Sequence, residues 1–257
     1  MTTTAAVRLP LTELGGMPLI DDGFVPGRLL AALAAARSVR ARRLALVTGA
    51  DPDPLRWVRP QEAIRLRDDP PLIPSLPLTP SEERKVAAVL DEAADLVPVW
   101  RPLLALPIQY LLYHPDGGAA SASAVMWPQH ILLAKVAFTT PATLREQVIH
   151  ELCHQWLYAI QELWPLEATD PPPRVALPSG TPNRSPGEVI GAAHVMAALL
   201  RLHRADPARP SVFDAPHERH IAGLAAYARG CFQTLDSLQE HLTPAGLQIT
   251  RRLKEAI

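Results

Sequence analysis

Thr140-Pro141 opens a stretch, running to about Trp164, in which apolar residues recur at helical spacing and the middle reads QVIHELCHQWL from Gln147 to Leu157. Threonine caps helices well, and proline at the first helical position loses only an N–H that would have no partner there. A helix carrying HELCH near its centre constrains whatever packs around it. Residues four apart project from one face one turn apart, so His150 and His154 can bring two imidazole nitrogens to one metal ion, with Glu151 beside them.

The rest of the chain reads as helices joined by stiff connections, in keeping with 28 prolines. Helical spacing covers Gly27 to Val47, and Thr79-Pro80 followed by Ser81-Glu82-Glu83 starts another helix that stops before Pro98. Asp51 to Pro80 is rich in proline and lacks periodicity, so it is expected as a surface connection. Between Leu103 and Ala137 the pattern changes to short apolar runs, Ile108 to Tyr113, Ser123 to Trp127 and His130 to Val136, separated by Asp116-Gly117-Gly118 and Pro128. Those runs predict a small antiparallel sheet. Pro165 to Gly187 is too long for a simple connector and is a candidate wall or lid. Ser185-Pro186-Gly187-Glu188 has the form of a capping box, predicting a helix from about Pro186 to Ala205; two more follow, about Pro216 to His241 and Pro244 to Glu255. The expected class is α+β, mainly helical, in one domain over 1–257: a helical part to about residue 100, then the sheet and the metal-site helices.

Composition excludes some roles. Twenty-five basic against 26 acidic residues gives no pull toward nucleic acid or an anionic membrane. No run reaches the roughly 18 apolar residues of a membrane span, and the N-terminus lacks the cationic flank and apolar core of a secretion signal, so a cytoplasmic protein is expected. Cys153 and Cys231 fall within predicted helices and read as small core residues without a disulfide framework.

Two histidines need a further ligand. No glycine stands at the third position after His154 and no histidine at the sixth, so the extended histidine motif of one zinc-peptidase class is absent. Glu162, Glu167 and Glu188 are downstream carboxylates, the last also explained by helix capping. His194 is the only polar side chain in VIGAAHVMAALL, from Val189 to Leu200, and is favoured as third ligand. His217 and His220, with Glu218 and Arg219 between them, read as a solvated helix start; Arg174 and Arg201 are reserve partners for a carboxylate.

From Ser121 to Leu200 the chain resembles a bacterial family of HExxH-motif peptide-modification proteins, described as iron- and 2-oxoglutarate-dependent peptide β-hydroxylases acting on ribosomally made peptides. The matching features are Ser121-Ala122-Ser123-Ala124 with the apolar strand before the helix, HELCHQWL from His150, LWPL from Leu163, and RSPGEVIGAAH from Arg184 to His194. The resemblance implies a zincin-like HExxH helix, a metal held by His150, His154 and His194, and Arg184 as anchor for the 2-oxoglutarate carboxylate. Valine at 195 departs from the family's glycine after the last histidine.

Two chemistries then compete. With Fe(II), three protein ligands leave three octahedral positions, enough for 2-oxoglutarate and dioxygen, and Glu151 orients groups around the metal. With Zn(II), the fourth tetrahedral position holds water and Glu151 is the general base of a metallopeptidase. The expected partners are a peptide substrate, with or without a leader segment, and dioxygen. A noncatalytic peptide-binding protein is the third alternative.

Overall fold

The computed structural model describes residues 9–70, 72–114, 118–206 and 215–257. Helices dominate. They are α1 (Pro10–Leu14), α2 (Pro26–Arg43), α3 (Pro60–Ala63), α4 (Pro80–Leu96), α5 (Arg101–Leu104), α6 (Pro141–Gln161), α7 (Pro186–Ala205), α8 (Ala215–Asp236) and α9 (Pro244–Glu255), beside strands β1 (Ser75–Pro77), β2 (Gln109–Tyr113), β3 (Ser121–Ala122) and β4 (His130–Leu133). The fold is α+β and mainly helical.

The sheet has strand order β1-β2-β4-β3. It is mixed rather than antiparallel: β1 with β2 and β3 with β4 are antiparallel, but β2 and β4 run parallel, Gln109 opposite His130. The sequence pattern missed this because β3 takes the outer edge of β4, so the chain crosses back before β4 begins and enters it in the direction of β2. Part of the expected turn, Asp116-Gly117, lies outside the described residues. The connection from Asp51 to Pro80 is also more structured than its composition suggests, holding a 3-10 turn over Pro54–Val58, α3 and β1. Each is too short to show a period.

Every residue of β4 is buried, as expected for a strand covered on both faces. Side chains alternate accordingly. Ile131 and Leu133 join the main core with Val148, Ile149 and Leu152 of α6 and Ile190 and Ala193 of α7, while Leu132 packs with Leu111, Tyr113 and Trp127 on the other side. The main core extends from Leu14 to Leu253, so the first helix and the last share it. Trp156 is fully buried, donating from Nε1 to the Leu103 carbonyl at 3.2 Å and meeting Phe24 edge-on.

α4, which packs on α6, starts with a complete capping box: the Thr79 hydroxyl accepts from the Glu82 N–H, and the Glu82 carboxylate accepts from the Thr79 N–H at 2.9 Å. Lys135 donates to the same carboxylate at 2.6 Å. This ion pair and the Thr79 bonds pull the Glu82 carboxyl from its ordinary 4.5 down to about 2. A depressed carboxyl stabilises the fold above its unfolded value and loses that contribution as pH falls through the folded one. The melting-temperature gap between the protein and its Glu82→Gln variant should therefore be constant above pH 4.5 and close between 4.5 and 2; a gap unchanged down to pH 2 would show that the charge contributes nothing.

Candidate metal centre

α6 is capped as its sequence predicts, the Thr140 hydroxyl accepting from the Thr143 N–H at 3.0 Å. The helix ends three residues before Trp164, at Gln161. Burial along it is unusually complete, including Glu151, Cys153 and Gln155. His150 and His154 turn the same way, and their Nε2 atoms stand 3.2 Å apart. Such a separation suits two donors on one ion at the roughly 2.0–2.1 Å bonds of imidazole to zinc. The two nitrogens face the open side, since the His150 side chain is one-third exposed whereas its neighbours are closed in.

His154 is held from both sides. Tyr158, one turn on, stacks on its ring at 6.0 Å, and Gly191 of α7 lies against its Nδ1 edge. A β-carbon at 191 would come 3.1 Å from Nδ1 and 3.3 Å from Cε1, so a larger residue would push the His154 ring by a few tenths of an ångström. Burial, then the fields of His150, His194 and Arg184, hold the His154 imidazole well below its usual value and therefore neutral, the protonation state of a ligand.

Glu151 is 98% buried and both of its oxygens are engaged: Ser121 donates to Oε1 and Ser123 to Oε2, each at 2.6 Å. Oε1 is also 3.9 Å from the His150 Nε2. The Gln147 side-chain oxygen lies 2.7 Å from the same Ser121 hydroxyl, sharing its single proton. Strand β3 thus clamps the motif helix through hydroxyls. Burial and then the Glu151 charge push the Tyr158 phenol up to about 12, so it stays a neutral hydrogen-bonding group beside Ser123.

His194 is placed differently from the motif pair. It is completely buried, with Nε2 2.8 Å from the Pro18 carbonyl and Nδ1 turned toward the Cys153 backbone without a full hydrogen bond. Burial lowers it to about 4. Because a carbonyl only accepts, Nε2 carries the proton and Nδ1 keeps the lone pair. Among the described residues, no third histidine, cysteine or carboxylate has a donor atom within 4.8 Å of both motif nitrogens.

The downstream carboxylates have partners of their own. Glu162 takes a bidentate pair from Arg37 at 2.8 and 2.9 Å and a further bond from Arg67. Glu167 accepts from the Gly187 N–H at 2.7 Å. Glu188 completes the capping box of α7 and pairs with Arg184 at 2.7 Å and Arg174 at 3.2 Å. Arg184 itself borders the site, its charge acting on His154 and Tyr158, and its Nε is buried without a partner. Arg201 is spent elsewhere, on the Ile20 carbonyl and Asp22.

Two contributors escaped the sequence reading. Tyr158 continues the face of His150 and His154 by another four residues, a spacing that marks it. Gly191 sits mid-helix, where glycine costs up to ~1 kcal/mol relative to alanine, and that cost signals a close approach. The chain matches no known protein-family pattern and no curated protein.

Gly223 on α8 has nothing within 4 Å of its would-be β-carbon. Gly223→Ala should therefore raise stability by roughly 0.5–1 kcal/mol. Gly191→Ala should forfeit that gain by pushing on His154, and equal increases in melting temperature for the two variants would show that Gly191 is not a steric requirement.

Proposed function

We propose that the chain is an Fe(II)- and 2-oxoglutarate-dependent oxygenase that hydroxylates a side-chain β-carbon of a ribosomally made peptide. The observation that carries this reading is the convergence of the His150 and His154 Nε2 atoms at 3.2 Å; Arg184, paired with Glu188, is near enough for its charge to act on His154. The donor set fits the group: two imidazoles suit iron, and an arginine with an uncommitted N–H suits a carboxylate. Bound Fe(II) would supply C–H oxidation, with dioxygen consumed and 2-oxoglutarate leaving as succinate and carbon dioxide.

In this reading the protein residues bind and orient. His150 and His154 hold the metal; no third described donor stands within 4.8 Å of both, so His194 would complete the set only by a shift of its ring that brings Nδ1, the nitrogen left unprotonated by the Pro18 bond, to the motif side. That bond is the usual support of a ligating histidine, whose other N–H is held by a carbonyl or carboxylate. Arg184 takes the carboxylate of the cosubstrate. Ser121 and Ser123 fix Glu151 by occupying both of its oxygens, which suits an orienting role. Strand β3 pairs with β4 on one side, and no described strand covers the other, so an extended peptide can lie along this edge next to Glu151.

A zinc metallopeptidase is the second reading, favoured by one distance: Glu151 Oε1 lies 3.9 Å from the His150 Nε2, close enough to serve water on a metal held there.

Anaerobic reconstitution with Fe(II) followed by 2-oxoglutarate titration tests the choice. A visible charge-transfer band that saturates with cosubstrate, weakened in Arg184→Leu and lost with the metal in His194→Ala, is the expected result. Tightly held zinc, no band, and peptide cleavage abolished by Glu151→Gln would establish the hydrolase instead.

A further inference from the structure

One turn before His150, on the same face of α6, stands Glu146. Its Oε1 lies 2.9 Å from the His203 Nε2 at the end of α7 and 3.2 Å from the His220 Nε2 in the second turn of α8. These atoms all fall within 4.8 Å of one another, the only such donor group among the described residues. His220 makes a hydrogen bond to the carboxylate, and the 93% buried His203 meets the same oxygen at 2.9 Å in an orientation short of a well-formed hydrogen bond. The His217 ring adjoins at 5.4 Å from that of His203, and its Nε2 is buried and unpartnered. The helix start is solvated as expected at Glu218, Arg219 and the half-exposed His220, but His217 and His220 both also reach toward His203 of α7.

Three side chains of ligand type from three helices thus converge on one point, and the His217 ring nitrogen beside them has no hydrogen bond among the described residues. We infer that Glu146, His203 and His220 form a second metal site, separate from the motif pair, that takes a single divalent transition-metal ion of the zinc class. Two imidazoles and a carboxylate are the ligand set of zinc sites with an open fourth position, which water can fill. Each ligand comes from a different helix. The ion would pin the start of α8 to the C-terminus of α7 and to α6 one turn from His150, so it is placed to hold the motif helix in register.

The test uses the full chain with both motif histidines replaced, His150→Ala/His154→Ala, and zinc titration against a chromophoric chelator. Retention of about one zinc per chain is expected. Adding His220→Ala, at a half-exposed position that the fold tolerates, or His203→Ala should abolish it while circular dichroism stays unchanged. Zinc should also raise the melting temperature of the motif-less variant and not of the one lacking His220. A folded motif-less variant that binds no zinc overturns the inference, as does retention of zinc after His220 and His203 are both replaced. Equal zinc content in the wild type and the motif-less variant would keep this site and count against metal at the motif, so the two ideas fail separately.

Discussion

Burying α6 is the constraint on which the rest of the structure depends. A helix closed in on most sides is ordinarily apolar, yet this one carries Glu151 and Gln155 into the interior, leaving its histidines on the half-open side. Burying such groups costs several kcal/mol unless each is hydrogen-bonded. The sheet and the turn before β4 supply the partners. Ser121 and Ser123 donate to Glu151, Gln155 accepts from the Gln129 N–H at 2.6 Å, and Gln155 donates to the His130 carbonyl at 2.9 Å. The sheet therefore holds the motif helix by directional bonds as well as by the apolar contacts of Ile131 and Leu133, which fixes the rotation of α6 and with it the direction in which His150 and His154 point.

Gln129 extends that network to the N-terminal half. It adopts a left-handed backbone with φ of 61°, unusual for a non-glycine residue, and its amide accepts from Arg37 at 2.8 Å while donating to the Pro107 and Val58 carbonyls. Arg37, 96% buried, goes on to grip Glu162 at the end of α6. Burial raises the Glu162 carboxyl, but Arg37 and Arg67 outweigh it and hold it below the ordinary range, so the pair stays ionised. A buried ion pair of this kind adds little stability over an apolar pair, whereas deleting one partner strands the other. Its effect is to specify the packing: α2 and the short turns after it can dock only where the end of α6 offers that carboxylate.

Much of this architecture was legible in the sequence wherever local chemistry decides it. The Thr79-Pro80 start, the capping box at Ser185 and the cap at Thr140 gave the starts of α4, α7 and α6, because capping uses residues within four positions. The HELCH spacing likewise implies that His150 and His154 share a face. What escaped depends on contacts distant in sequence. The parallel pairing of β2 with β4 follows from where β3 attaches, and short strands carry no mark of their neighbour. Glu146 and His203 are separated by 57 positions and meet only because α7 folds back along α6. Similarly, His217 and His220 look like an exposed polar turn until the end of α7 is placed beside them.

The antiparallel course of α7 along α6 also explains where His194 stands. Gly187 lies against Gln161, and Gly191 against His154 and Leu157, so two small residues one turn apart let the helices approach closely. The next turn on this face brings His194 to the level of Cys153, deep between the helices, while the motif nitrogens open outward. At that depth the ring needs a backbone partner, and Pro18 provides one from the segment between α1 and α2. The same segment is bound from the other direction, Arg201 of α7 donating to the Ile20 carbonyl and Arg252 of α9 pairing with Asp21 at 2.5 Å. The tautomer of His194, and so which of its nitrogens is available, is therefore set by a loop 176 residues away in sequence. The N-terminal segment thus fixes the interior end of the α6–α7 seam behind the motif pair.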